Sequence, residues 1–178
     1  MTETPEQIAS QAKTAYQDED YSQAAGLYKT AQDMYETSGD SLNAAEMANN
    51  RSVSLLKAGD PKAALQAVEG TENTFANAGD VKRQAMALAN KAAALEGLKK
   101  LPEALALYEE SSGLLKQIGE KELRAYVLKS ISAIQLRQGD RLQAVASMDA
   151  ALDNKPQLGV IDRIMRRLIQ WVYRLLGR

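Results

Sequence analysis

Residues 21–40 read YSQAAGLYKTAQDMYETSGD, one helix-like segment closed by a glycine turn. Forty residues on, 61–80 read PKAALQAVEGTENTFANAGD, and 101–120 read LPEALALYEESSGLLKQIGE. Most side chains differ, yet the pattern of size and polarity holds. Ala24, Ala64, Ala104 and Ala144 sit in the middle of successive segments at one spacing. Four positions later stand Tyr28, Val68, Tyr108 and Met148, and three further Ala31, Thr71, Ser111 and Ala151. In the intervening segments Ala45, Ala85 and Ala125 keep the same interval, as do Ala48, Leu88 and Leu128. A period kept without insertion over most of the chain marks a repeat array, whose units hide their apolar faces only by stacking on neighbours.

The punctuation has a mechanism. Gly39, Gly59, Gly79 and Gly139 each precede an Asp, and Gly119 precedes Glu120. Glycine enters the left-handed conformation past a helix end without a Cβ penalty. The Asp that follows can accept hydrogen bonds from the free N–H groups of the next helix. Pro61 suits the first helical position after Asp60. Thr4 with Gln7, Asp20 with Gln23 and Asp140 with Gln143 have capping-box spacing. The sequence therefore predicts helices over 5–17, 21–37, 41–57, 61–77, 81–98, 101–117, 121–137 and 141–153. Alanine along the contact line lets paired helices approach to about 8–10 Å, while Tyr28, Leu55, Leu95 and Tyr108 fill the space between pairs.

The pattern A-x-x-x-Y-x-x-A behind a G-D turn, as Ala24-Tyr28-Ala31 and more loosely Ala104-Tyr108-Ser111, resembles the tetratricopeptide repeat. A forty-residue unit with longer helices is similar to the repeats of soluble NSF attachment proteins and kinesin light chains. The chain departs from the family pattern at Ala12 and Ala92, where a small glycine is usual, and at Gln135, where an aromatic or leucine is usual. The first helices also lack the family's tryptophan. The resemblance implies an all-α fold, a right-handed superhelix of four antiparallel helix pairs. Repeats fall near 5–40, 41–80, 81–120 and 121–153, making a body over 1–153. A linker at 154–159 leads to an amphipathic helix at 160–178.

Composition narrows the chemistry. Of 178 residues, 45% are apolar and 25% charged, with one Trp, one Phe and seven Tyr, so a core is available and alanine and leucine supply it. There is no Cys and no His, which removes thiol chemistry and the commonest zinc and general-base groups. Carboxylates such as Glu109-Glu110 and Asp18-Glu19-Asp20 are sequence neighbours that read as solvated charge. No glycine follows a strand to make a phosphate cradle. The expectation is a non-enzymatic protein with no metal and no cofactor. A net charge of −1 argues against a nucleic-acid partner. The polar start MTETPEQIAS shows no secretory signal, so a cytoplasmic location is expected.

Repeat superhelices commonly hold peptides or partner helices on a concave face lined by their first helices. The register puts Asn50, Asn90 and Ser130 on that face at one level. Glu46, Met86 and Tyr126 lie at a second, and Asn49, Ala89 and Lys129 at a third. An Asn amide donates and accepts at once, so it can hold a peptide backbone without reading sequence. The resemblance implies that role for Asn50 and Asn90; the competing reading is that they bond to neighbouring helices or water. The bases Lys13, Lys57, Lys129 and Arg137 do not form a set spaced to clamp a carboxylate.

After NKPQLG the text changes to VIDRIMRRLIQWVYRLLGR, residues 160–178, with five Arg, one Asp and no Lys. At 100° per residue, Ile161, Ile164, Met165, Leu168, Ile169, Val172, Leu175 and Leu176 share one face. Arg163, Arg166, Arg167, Gln170 and Arg174 lie opposite, with Trp171 and Tyr173 at the boundary. Three readings stand. The segment caps the last repeat, lies on a membrane surface as a peripheral anchor, or docks on another protein, including a second copy of this chain. It cannot span a bilayer with so many arginines.

Overall fold

The structure is a computed structural model that describes residues 3–175. Among these, every regular element is a helix. They are α1 (Pro5–Gln17), α2 (Tyr21–Ser38), α3 (Ser41–Lys57), α4 (Pro61–Val68), α5 (Thr71–Asn77), α6 (Val81–Gly97), α7 (Leu101–Gln117), α8 (Lys121–Gln138), α9 (Arg141–Asp153) and α10 (Val160–Leu175). Seven of the eight predicted repeat helices are single elements within a residue of their expected ends. Two compact units divide the chain between Leu107 and Tyr108, inside α7.

In the first unit α2 packs on α1 and α3, α3 packs on α4, and α6 lies against α3, α4 and α5. The alanine positions do what their spacing requires. Ala12, Ala24, Ala31, Ala64, Ala85 and Ala92 have no exposed surface, so backbones meet closely there. Tyr28 and Tyr35 close the α1–α2–α3 core with Ile8 and Met47. Tyr35 also donates its hydroxyl to Glu6 Oε1 at 3.0 Å. In the second unit α8 packs on α9 and α9 on α10. Ala144 and Ala151 are buried beside Ile134 and Leu152. Gln135 is buried too, and its Oε1 accepts from Ser147 Oγ at 2.8 Å, so the polar residue at an apolar repeat position is satisfied.

The caps follow the sequence in part: of the expected Asp20–Gln23 box only the carboxylate half is present. Thr4 and Gln7 form the reciprocal box. The Asp20, Asp40, Asp60 and Asp80 carboxylates accept from Gln23, Asn43, Ala63 and Arg83 N–H groups at 2.9–3.1 Å. Asp140 makes no side-chain cap bond, so its expected pairing with Gln143 is absent.

The other departure is the predicted helix 61–77, which is two helices. Glu69 is extended at ψ 125 and Gly70 left-handed at φ 80, turning the chain between α4 and α5. The corresponding Thr30, Glu110 and Ala150 carry a Cβ that penalises this conformation, and all three stay helical. Thr71 Oγ1 donates to Val68 O at 2.8 Å, satisfying a carbonyl that the break frees.

Candidate functional site

The first helices of the repeats, α3, α6 and α8, carry the positions expected to meet a partner. On each helix the residues at 45, 85 and 125 and at 48, 88 and 128 are buried. Their neighbours Met86 and Tyr126 stay open, 41% and 69% exposed, while Glu46 is half-buried. Asn50, Asn90 and Ser130 are half-buried. The alternation follows from helical geometry: adjacent residues are turned by about 100°, so one faces the pair and the next faces out.

Within the first unit the structure brings Asn49 and Asn90 together and leaves Asn50 apart. Asn90 Nδ2 donates to Asn49 Oδ1 at 3.4 Å, and Thr71 Oγ1 reaches the same oxygen at 3.5 Å. Asn49 is 8% exposed, so it joins α3 to α6 and the α4–α5 break instead of offering an amide to a ligand. Placing Asn49 on the open face needs that correction. Internal bonding describes Asn49 and Asn90, while the Asn50 amide has no chain partner among the described residues. At the edge of this face Arg83 bonds Asp80 Oδ2 at 2.6 Å and Glu46 Oε2 at 3.1 Å, and lies 5.0 Å from the Phe75 ring centre. Backbone and side-chain hydrogen bonds from Arg83 hold the Asp80 carboxyl below its ordinary pKa.

Two features escaped the sequence reading. Lys91 Nζ bonds Glu69 Oε1 at 3.0 Å and Glu72 Oε1 at 2.8 Å, bridging the residues on either side of Gly70. Burial draws the ammonium pKa down, but hydrogen bonds with Glu72 and Glu69 outweigh it and hold it above the usual lysine range. Beside the break is a cavity of about 360 Å³, lined by Gln32, Ala44, Ala48, Gln66, Gly70 and Thr74. A glycine in mid-helix was the available signal for the break; nothing local marked Lys91.

In the second unit Tyr126 and Lys129 line a cavity of about 280 Å³ with Glu122, Lys155, Pro156 and Gln157. The segment 154–159 thus lies beside α8. A hydrogen bond with Asp162 holds Lys155 above the ordinary lysine pKa, whereas contact with Lys155, then burial, pushes Lys129 down. Lys129 is a crowded cation here, not one member of an open clamp.

α10 meets this unit along one edge. Lys155 Nζ bonds Asp162 Oδ2 at 2.5 Å, Arg166 pairs with Asp153, and Ile169 is 5% exposed. Val172 and Tyr173 are half-buried. The rest of the apolar arc faces away: Ile161, Ile164, Leu168, Trp171 and Leu175 are each more than half exposed. Only the margin of the apolar face therefore lies against α9. Arg163, Arg167 and Arg174 are exposed as well. Leu176, assigned to the same face, lies outside the described residues.

These observations define a tetratricopeptide-like helical repeat protein. Two solved structures have the same fold. One is BtubC (BKLC) from P. vanneervenii, 18% identical with a TM-score of 0.76, matching 97% of this chain and 72% of that one. The other is the MamA RS-1 ArsTM double mutant, 17% identical with a TM-score of 0.64, matching 84% of this chain and 74% of that one. Both are tetratricopeptide-like repeat proteins. No known family profile and no curated protein matches the sequence.

Proposed function

We propose that the chain is a non-enzymatic interaction scaffold that holds a peptide or a partner helix on the open face of its repeats' first helices. In this reading it belongs with the forty-residue variety similar to soluble NSF attachment proteins and kinesin light chains. It works in the cytoplasm without cofactor or nucleic acid. Tetratricopeptide-like folds commonly serve protein–protein interaction, which supports the class. The observation that carries the reading is the repeated open position on the first helices. Met86 and Tyr126 each leave apolar surface uncovered where their immediate neighbours are buried, and the Asn50 amide on α3 keeps its hydrogen-bonding capacity. Apolar anchors beside an unpaired amide suit a ligand that supplies side chains and backbone together.

Selection of a random peptide library on the full chain tests this. Enriched peptides are expected to share a pattern and to lose about tenfold in affinity on Asn50→Ala with Met86→Glu. No enrichment, or equal affinity for the variant, overturns the reading.

A further inference from the structure

We propose that the outward face of α10 docks on an anionic lipid bilayer, with the helix lying in the plane of the surface. The proposal stands independently of the reading of the first helices. At 100° per residue, Val160, Trp171, Ile164, Leu175, Leu168 and Ile161 form an unbroken arc, and Arg167, Arg174 and Arg163 continue it directly beyond Val160. The fold holds the helix so that this whole arc is outside, with Ile161 75% and Leu168 58% exposed. The opposite edge is fixed inward by Asp162 on Lys155, Arg166 on Asp153 and buried Ile169.

This arrangement sorts the charges. The one acid of α10 and one arginine are paired on the inner edge. The three outer arginines have no ion pair among the described residues. What faces outward is an oily strip and a basic strip, with Val160 and the only Trp next to their seam. An apolar strip of this kind seats between headgroups and acyl chains, guanidinium groups bind phosphate and carboxylate headgroups, and indole settles at the interface. No described helix is long and apolar enough to cross a membrane, so the contact is with the surface. A second copy fits the face less well. A two-fold antiparallel pairing over the apolar strip sets the arginines of one helix against those of the other, and like charges so placed are repulsive.

The full chain is mixed with vesicles of phosphatidylcholine containing phosphatidylserine, and separately with pure phosphatidylcholine vesicles. Trp171 is the sole Trp, so its emission reports this helix directly. The expected result is a blue shift and co-sedimentation with the anionic vesicles, both weakened by salt. An arginine near an anionic surface strengthens binding about fivefold, so Arg163→Gln, Arg167→Gln and Arg174→Gln together should weaken it roughly a hundredfold. Leu168→Gln should reduce it with Trp171 kept as the probe and helicity unchanged, because Leu168 is exposed. No shift and no pelleting with anionic vesicles overturns the proposal. So does equal binding to both vesicle types, or a concentration-dependent mass without lipid that Leu168→Gln abolishes while vesicles have no effect.

Discussion

Lys91 Nζ lies 2.8 Å from Glu72 Oε1, and the two side chains are only 18% and 15% exposed. The pair fastens α6 to the start of α5, immediately after the left-handed turn at Gly70. The Glu72 Oε2 atom is buried and receives no hydrogen bond, so Lys91 is the main compensation for that charge. Removing one partner of a sheltered pair strands the other, which costs more than the pair contributes. Lys91→Met should therefore destabilise the protein by about 1–3 kcal/mol. Lys91→Met with Glu72→Gln should recover part of the loss, as read from urea midpoints. Since the Lys91 pKa is raised on folding, its contribution is present below the unfolded value and fades as pH climbs through the folded one.

At the acid end the helix caps set the response. The Asp40 and Asp80 carboxyls are held below their ordinary pKa, first by backbone N–H groups of Asn43 and Arg83 and then by those side chains. A depressed carboxylate stabilises the fold above the unfolded value and loses that effect as pH falls through the folded value. Melting temperature should thus hold steady from neutrality to about pH 5 as far as these groups are concerned, then drop below about pH 4. Asp80→Asn keeps a capping oxygen without a titrating charge, so its melting temperature should fall less steeply with acid than that of the natural chain. An identical slope would remove Asp80 from the explanation.

Two helical glycines should respond in opposite ways. A Cβ on Gly97 would stand 2.7 Å from Pro61 Cβ, a ring atom with little freedom to move. Gly97→Ala should cost about 1–3 kcal/mol through overpacking between α6 and α4. Gly26, within α2, has nothing within 4 Å of its built Cβ. Gly26→Ala should instead stabilise by about 0.5–1 kcal/mol, because alanine loses less entropy in a helix. Chemical denaturation of the two variants side by side checks both signs.

The fold was legible where the signal is local and repeated. The forty-residue alanine register, the G-D stops and the Thr4–Gln7 box all act within one or two turns, so sequence spacing alone exposes them. The break at Gly70 was less visible because glycines also sit within continuous helices, as Gly26 and Gly113 do. Its partner Lys91 comes from another helix, and no local pattern marks it. The exposure of Met86 and of Tyr126, each on its own helix, emerges from register. Separating Asn49 from Asn50 does not, since neighbours on one helix differ by a rotation that spacing fixes only coarsely. The amphipathic character of α10 was plain in its text. Which edge would touch the fold was not, because the partners of that edge, Lys155 for Asp162 and Asp153 for Arg166, lie outside the helix and its own pattern does not mark them.

The three asparagines give a direct test of which amides belong to the fold and which are open to a ligand. Asn49 is buried and accepts from Asn90, so Asn49→Ala takes that bond from Asn90 and opens space, while Thr71 keeps its bond to Val68 O. That change should cost about 1–3 kcal/mol. Asn90→Ala removes one long hydrogen bond from a half-buried site and should cost about 0.5–1 kcal/mol. Asn50 contributes its backbone carbonyl to Ser54 Oγ, but its side chain has no chain partner, so Asn50→Ala should stay within about 0.5 kcal/mol of the natural protein. Thermal melts of the three single variants give the order. If Asn50→Ala proved as damaging as Asn49→Ala, its amide would be a structural group, and the case for its holding a peptide backbone would lapse.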